Sequence, residues 1–141
     1  MRSFHNLTLT VLVVVSVALA LPAYPADDWT FVAGRYALSP SDCKFLAKGQ
    51  PFSKNLVKQI ESEVLTREGI TSPRETHCKF RSSTRAAGSM KWTVKAACEE
   101  LGQVSPDLEN VGITKNPDGS LDVVAEDTFC PNPMAFKLCP R

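Results

Sequence analysis

The sequence predicts an α+β, mainly β domain: a curved antiparallel sheet or small barrel of about five to six strands with one packed helix, stapled by disulfides. Three observations predict it. Apolar and polar residues alternate with period two through Cys78 and Phe80 and again from Met90 to Cys98. A single stretch, with Leu56, Val57, Ile60 and Val64, repeats instead with the 3.6-residue period of a helix. Five cysteines follow an N-terminus laid out for secretion, and disulfides form in the compartment that such a leader implies.

The leader is residues 1–26. Arg2 precedes an apolar run from Leu7 to Leu21, and Ala18, Ala20, Ala23 and Ala26 supply small residues for cleavage between positions 20 and 26. An uncleaved anchor is the competing expectation, since about 20 apolar residues span a bilayer, but Pro22, Pro25 and the alanines favour cleavage. Residues 27–141 then form a single secreted domain, periplasmic or extracellular, with no stable membrane insertion after cleavage.

Trp29 to Ser39 alternates aromatic and small residues and reads as a first strand with a bend at Gly34, ended by Pro40. Ser53 as N-cap and Gly69 as terminator frame a helix of about four turns. Two strands follow, with the turn between them near Ala86 to Gly88. Asn116-Pro117-Asp118-Gly119 is a turn between Val111–Thr114 and Ser120–Val124, and Met134, Phe136 and Leu138 make a last short strand.

Phase along the strands suggests how the cysteines pair. Cys78 runs with Phe80, and Cys98 runs with Trp92 and Val94, so both face the core. A hairpin centred near Gly88 sets them opposite one another, at the separation a disulfide needs. Cys139 is out of phase with Phe136 and Leu138, and Cys43 is its chosen partner. Cys130, in Phe129-Cys130-Pro131, is left as a free thiol or the link of a disulfide-linked dimer. The rival arrangement joins Cys130 to Cys139 and frees Cys43.

Gly34-x-Tyr36, Cys43, GITSPRETHCKF from Gly69 to Phe80, WTVKAAC from Trp92 to Cys98, and a cysteine near the C-terminus together resemble small secreted alphaproteobacterial proteins of unknown function. The resemblance implies a periplasmic, β-rich, disulfide-containing module and carries no catalytic or binding residues. The Cys130 segment departs from that pattern.

Charge is segregated along the chain. Lys44 to Lys95 holds eleven cations and four carboxylates, whereas Glu99 to Asp127 holds eight carboxylates and Lys115 alone. Without Arg2 the totals balance, which gives no reason to expect nucleic acid as a partner. On the outward phase of the central hairpin, His77, Lys79, Arg81, Lys91 and Lys95 form a candidate anion-binding face, with Arg85 at its tip. Against it stands the expectation that Glu109, Asp122 and Glu126 on neighbouring strands offset its charge.

Enzyme chemistry finds little support. His77 is the sole histidine beyond the leader, and its outward position among cations suits a general base poorly. No closely spaced cysteine pair offers a zinc or redox motif, and no phosphate-binding loop is present, so neither metal nor cofactor is expected. Glu99-Glu100 and Glu126-Asp127 are adjacent pairs that strands would split between faces. Trp29, Phe31, Tyr36, Phe80 and Trp92 read as core rather than as a ligand cup. The expected function is a non-enzymatic binding or interaction module for an anionic envelope component or a partner protein. The alternatives are a small extracytoplasmic enzyme using carboxylates and a purely structural or stress-protective protein.

Overall fold

A computed structural model describes residues 26–46, 57–73, 76–125 and 133–140. Residues 1–25 of the leader and Cys130 lie outside the described residues, as do Ser53, Leu56 and Glu126. Nine strands are present among those described: β1 (Tyr36–Ala37), β2 (Val64–Thr66), β3 (Gly69–Thr71), β4 (Thr76–Arg85), β5 (Lys91–Glu100), β6 (Gln103–Val104), β7 (Glu109–Lys115), β8 (Leu121–Ala125) and β9 (Met134–Leu138). They pair antiparallel in the order β4-β3-β2-β1-β9-β8-β7-β5, and β4 pairs with β5 to close the circuit. The result is an eight-stranded barrel, with β6 attached to β5 as an extra strand.

The predicted α+β class is therefore corrected to a mainly β barrel with more strands and, among the described residues, almost no helix. Val57 has helical backbone and a 3-10 helix spans Pro40–Phe45, but Val64 lies in β2 and Gly69 opens β3. The 3.6-residue pattern misled because the β2–β3 hairpin is covered on both faces. Leu65 and Ile70 point into the barrel, while Val64 and Thr71 are buried under an outer layer that includes Ile60 and Leu46. Alternation disappears from a strand whose two faces are both dry. Gly69 is required for another reason: a Cβ there would collide with the Cys78 carbonyl oxygen on β4.

The first predicted strand is also shorter than expected. Asp28 accepts hydrogen bonds from the Thr30 backbone N–H (2.9 Å) and hydroxyl, which bends Trp29–Val32 into a turn before the chain extends at Tyr36. That turn seals one end of the barrel. Phe31 lies 5.6 Å from Trp92 between ring centroids, Trp29 stacks on Phe80 at 6.2 Å, and the Tyr36 hydroxyl donates to the Phe31 carbonyl at 3.1 Å.

The barrel interior is filled by Tyr36, Leu65, Ile70, Phe80, Trp92, Val94, Val111, Ile113, Leu121, Val123 and Phe136, among others. Burying each such side chain contributes about 1.5–3 kcal/mol. A small eight-stranded barrel filled in this way leaves its interior as core, and the aromatic residues line no cup. The predicted turn at Asn116–Gly119 joins β7 to β8, with Gly119 at φ 85 and its N–H bonded to the Asn116 carbonyl.

Cys78 and Cys98 face each other across β4 and β5 with Cα atoms 4.0 Å apart, and they are bonded. Cys43 is bonded to Cys139, tying the 3-10 helix to the chain just beyond β9. No helix among the described residues is long and apolar enough to cross a membrane.

Candidate functional site

The hairpin β4–β5 is the longest ladder of the barrel, and its register decides which charges share a face. From Cys78 to Phe80, even-numbered residues of β4 face the core. A bulge between Phe80 and Ser82 then inserts Arg81 without a partner, so that Ser82 lies opposite Lys95 and Ser83 opposite Val94. One extra residue reverses the phase. Beyond the bulge Ser83 is buried, and its hydroxyl donates to the Asp28 carbonyl at 2.6 Å.

The same reversal moves Arg85 off the outward face. It pairs in register with inward-facing Trp92, lies 5.5 Å from that ring, and forms a 2.9 Å ion pair with Asp28. Arg85 belongs to the seal of the barrel end. Asp28 is held below the usual carboxylate range first by the Thr30 hydroxyl and backbone N–H, with smaller help from Trp92 and Arg85.

His77 also stands apart from the other predicted cations. It is half-buried opposite Glu99, and its Nδ1 lies 2.8 Å from the hydroxyl of buried Thr71. Desolvation lowers its pKa below the ordinary value of 6.5, with Lys79 adding to the effect. A hydrogen bond with the Ile70 backbone and the charges of Glu99 and Glu68 oppose it. At neutral pH it is uncharged and contributes no cation to the face.

The unfolded chain, with the higher pKa, takes up the proton first as pH falls. The contribution of neutral His77 to stability is therefore complete above about pH 6.5 and is lost as pH drops toward the folded-state value. Thermal midpoints at pH 7.5 and 5.0 should fall further for the wild type than for His77→Gln; equal falls would contradict this assignment.

Lys79, Arg81, Lys91 and Lys95 are exposed on one side of the sheet. Lys95 is flanked by Ser82 and Asn110, and Lys91 by Thr114; between them the row Thr84, Thr93, Gly112 forms a low floor. Arg85 and Asp28 form an ion pair, and none of these four cations is ion-paired with a described carboxylate. The expected neutralisation by Glu109 does not occur, because Glu109 lies opposite inward-facing Ala96 at the far end of the barrel. Asp122 is separated from Lys91 by the intervening Thr114. Glu99, exposed on the same phase of β5 and opposite His77, borders the Lys79 end of this surface.

Sequence reasoning missed a second site. At the end of the barrel opposite the aromatic seal, a cleft of about 670 Å³ opens beside the β5–β6 arm, bordered by Cys98, Glu100, Leu101, Val104, Pro106 and Glu109. A Glu109 carboxylate oxygen lies within 4.8 Å of the Cys78 and Cys98 sulfurs. Both sulfurs are committed to a disulfide, so the trio lacks the thiolates that would make it a metal site. The signal that could have located the cleft was Leu101-Gly102, a two-residue turn between polar neighbours.

Comparison with protein-family models, with curated proteins and with solved structures gives no match to this chain.

Proposed function

We propose that the protein is a secreted, non-enzymatic binding module that attaches through the outer face of β4 and β5 to an anionic component of the cell envelope. The observation that carries this reading is the set Lys79, Arg81, Lys91 and Lys95, exposed and without a described carboxylate partner around the Thr93–Gly112 floor. Lys91 and Lys95 lie four residues apart on a strand, about 13 Å. That spread suits the phosphate or carboxylate groups of a surface or polymer better than a single small ligand. The leader-like N-terminus and the two disulfides support an extracytoplasmic setting.

Near an anionic lipid surface each cation contributes about 1 kcal/mol. Replacing Lys79, Arg81, Lys91 and Lys95 together by glutamine should then reduce partitioning onto vesicles of equal parts phosphatidylglycerol and phosphatidylcholine by about two to three orders of magnitude. Binding by the wild type should weaken as salt is raised and be absent on phosphatidylcholine alone. Competition with a soluble anionic polysaccharide separates a polysaccharide ligand from a lipid one. Equal partitioning of wild type and variant would end the proposal.

A second reading, a small hydrolase acting on envelope material, has one observation in its favour: Glu100 and Glu109 border the same cleft. Release of reducing ends from purified cell-wall polysaccharide by the wild type, lost in Glu109→Gln, would establish it. A wild type that releases none removes it.

A further inference from the structure

The β5–β6 arm is built differently from the rest of the barrel. β5 continues past the point where β7 leaves it, and β6 folds back on it with Glu99 opposite Val104 and Glu100 opposite Gln103. The turn residues Leu101 and Gly102 have φ of 49° and 81°. A tight hairpin of that kind ordinarily takes asparagine or glycine at its first central position. Here a leucine occupies it and stands 71% exposed. Val104 is 67% exposed and Leu108 51% exposed, so one short segment presents three large apolar side chains to water. Neighbouring apolar groups left exposed in this way mark surfaces that partners cover.

The chemistry of the cleft narrows the partner. Its walls combine Leu101, Val104 and Pro106 with the carboxylates of Glu100 and Glu109. From Glu99 to Glu109 the chain carries Glu99, Glu100, Asp107 and Glu109 and no cation. Glu109 is half-buried where it borders the cleft. A charge held there is screened less than one on the open surface. Apolar walls leading to a recessed carboxylate complement a lysine or arginine, whose alkyl stem lies along apolar surface while its head seeks an anion. The volume of about 670 Å³ accommodates such a side chain together with its neighbours. Among the described residues β6 pairs with β5 alone, which leaves no described strand on its second edge, the place where an extended backbone adds to a sheet.

From these features we infer that the cleft beside the β5–β6 arm docks an extended segment of a partner protein, with a basic side chain directed toward Glu109 and flanking apolar residues packed on Leu101 and Val104. The site is separate from the cationic face and opposite to it in charge. One barrel thus presents two docking surfaces of different chemistry, and either can fail without the other.

The test is a titration of the oxidised, ¹⁵N-labelled protein with three peptides, acetyl-Leu-Val-Arg-Leu-Gly-amide and its citrulline and glutamate counterparts, followed by amide shifts. The arginine peptide should produce saturable shifts at Leu101, Gln103, Val104, Ser105 and Glu109. The citrulline peptide, equal in shape and uncharged, should bind at least tenfold more weakly, and the glutamate peptide should not bind. Glu109→Gln should reduce affinity for the arginine peptide at least tenfold while leaving citrulline binding unchanged, a pattern that misfolding cannot produce. Equal affinity for arginine and citrulline, shifts confined to another face, or no shifts at millimolar peptide would overturn the inference. Concentration-dependent shifts of the arm without peptide would also overturn it, by assigning the cleft to a second copy of this chain.

Discussion

Replacing Cys43 and Cys139 together by alanine is expected to cost about 4–5 kcal/mol of folding stability, and the Cys78/Cys98 double variant about 3 kcal/mol. The difference follows from the chain each bond closes. Cys43 and Cys139 are 96 residues apart, Cys78 and Cys98 only 20, and the entropy removed from the unfolded chain grows with the logarithm of the loop. Position adds to length. The N- and C-terminal ends of the barrel wall meet at β1, a strand of two residues, which pairs with β9 through Tyr36↔Leu138 and Ala37↔Lys137. Just beyond, the Cys139 N–H bonds to the Arg35 carbonyl at 2.8 Å. The Cys78–Cys98 bond lies instead inside the longest ladder, which holds its register without help. Urea denaturation should give the two losses, and native-state hydrogen exchange should show β1 and β9 opening first when the Cys43 bond is gone. A larger loss from the Cys78 pair would mean that the seam is held by its packing.

Asp42→Ala is expected to cost about 3 kcal/mol, and Asp42→Asn nearly as much. Asp42 is fully buried in the 3-10 helix. Its carboxylate accepts from the backbone N–H groups of Glu61 and Ser62, each at 2.9 Å, and from the Ser62 hydroxyl at 2.6 Å. All three partners are donors. Asparagine would turn an N–H₂ toward one of them, and alanine would leave all three without an acceptor, each buried donor costing about 1–3 kcal/mol. The links hold the segment before β2 against the 3-10 helix and so keep the outer layer on Val64 and Thr71. Chemical denaturation of the two variants checks the claim. A neutral Asn variant would show that water replaces the carboxylate.

The parts of this fold that were legible in the sequence have one wet face and one dry face. Cys78, Phe80, Trp92, Val94 and Cys98 alternate cleanly because β5 and the first half of β4 are exposed on one side, and the Asn116–Gly119 turn announces itself by composition. The β2–β3 hairpin was illegible because both of its faces are covered, so an apolar run met a helical template by coincidence at Ile60 and Val64. The bulge at Arg81 has no glycine or proline to mark it, and without it Arg85 is assigned to the wrong face. His77 was placed correctly on its strand, but its half-burial depends on Thr71 and Glu99, neighbours that only the register supplies. The cleft is harder still to see, since it arises where β7 departs from β5 and depends on how two ladders end.

The bulge between Phe80 and Ser82 sets what this hairpin can tolerate as its sequence drifts. Cys78 must meet Cys98, and Ser83 and Arg85 must reach Asp28. The two requirements differ by one residue, and Arg81 is that residue. Side chains at Ser82 or Thr84 can change with little consequence, but the number of residues between Cys78 and Ser83 cannot. In this stretch the residue count constrains the fold more than side-chain identity does, and deleting one residue would force the hairpin to give up either the disulfide or the aromatic seal.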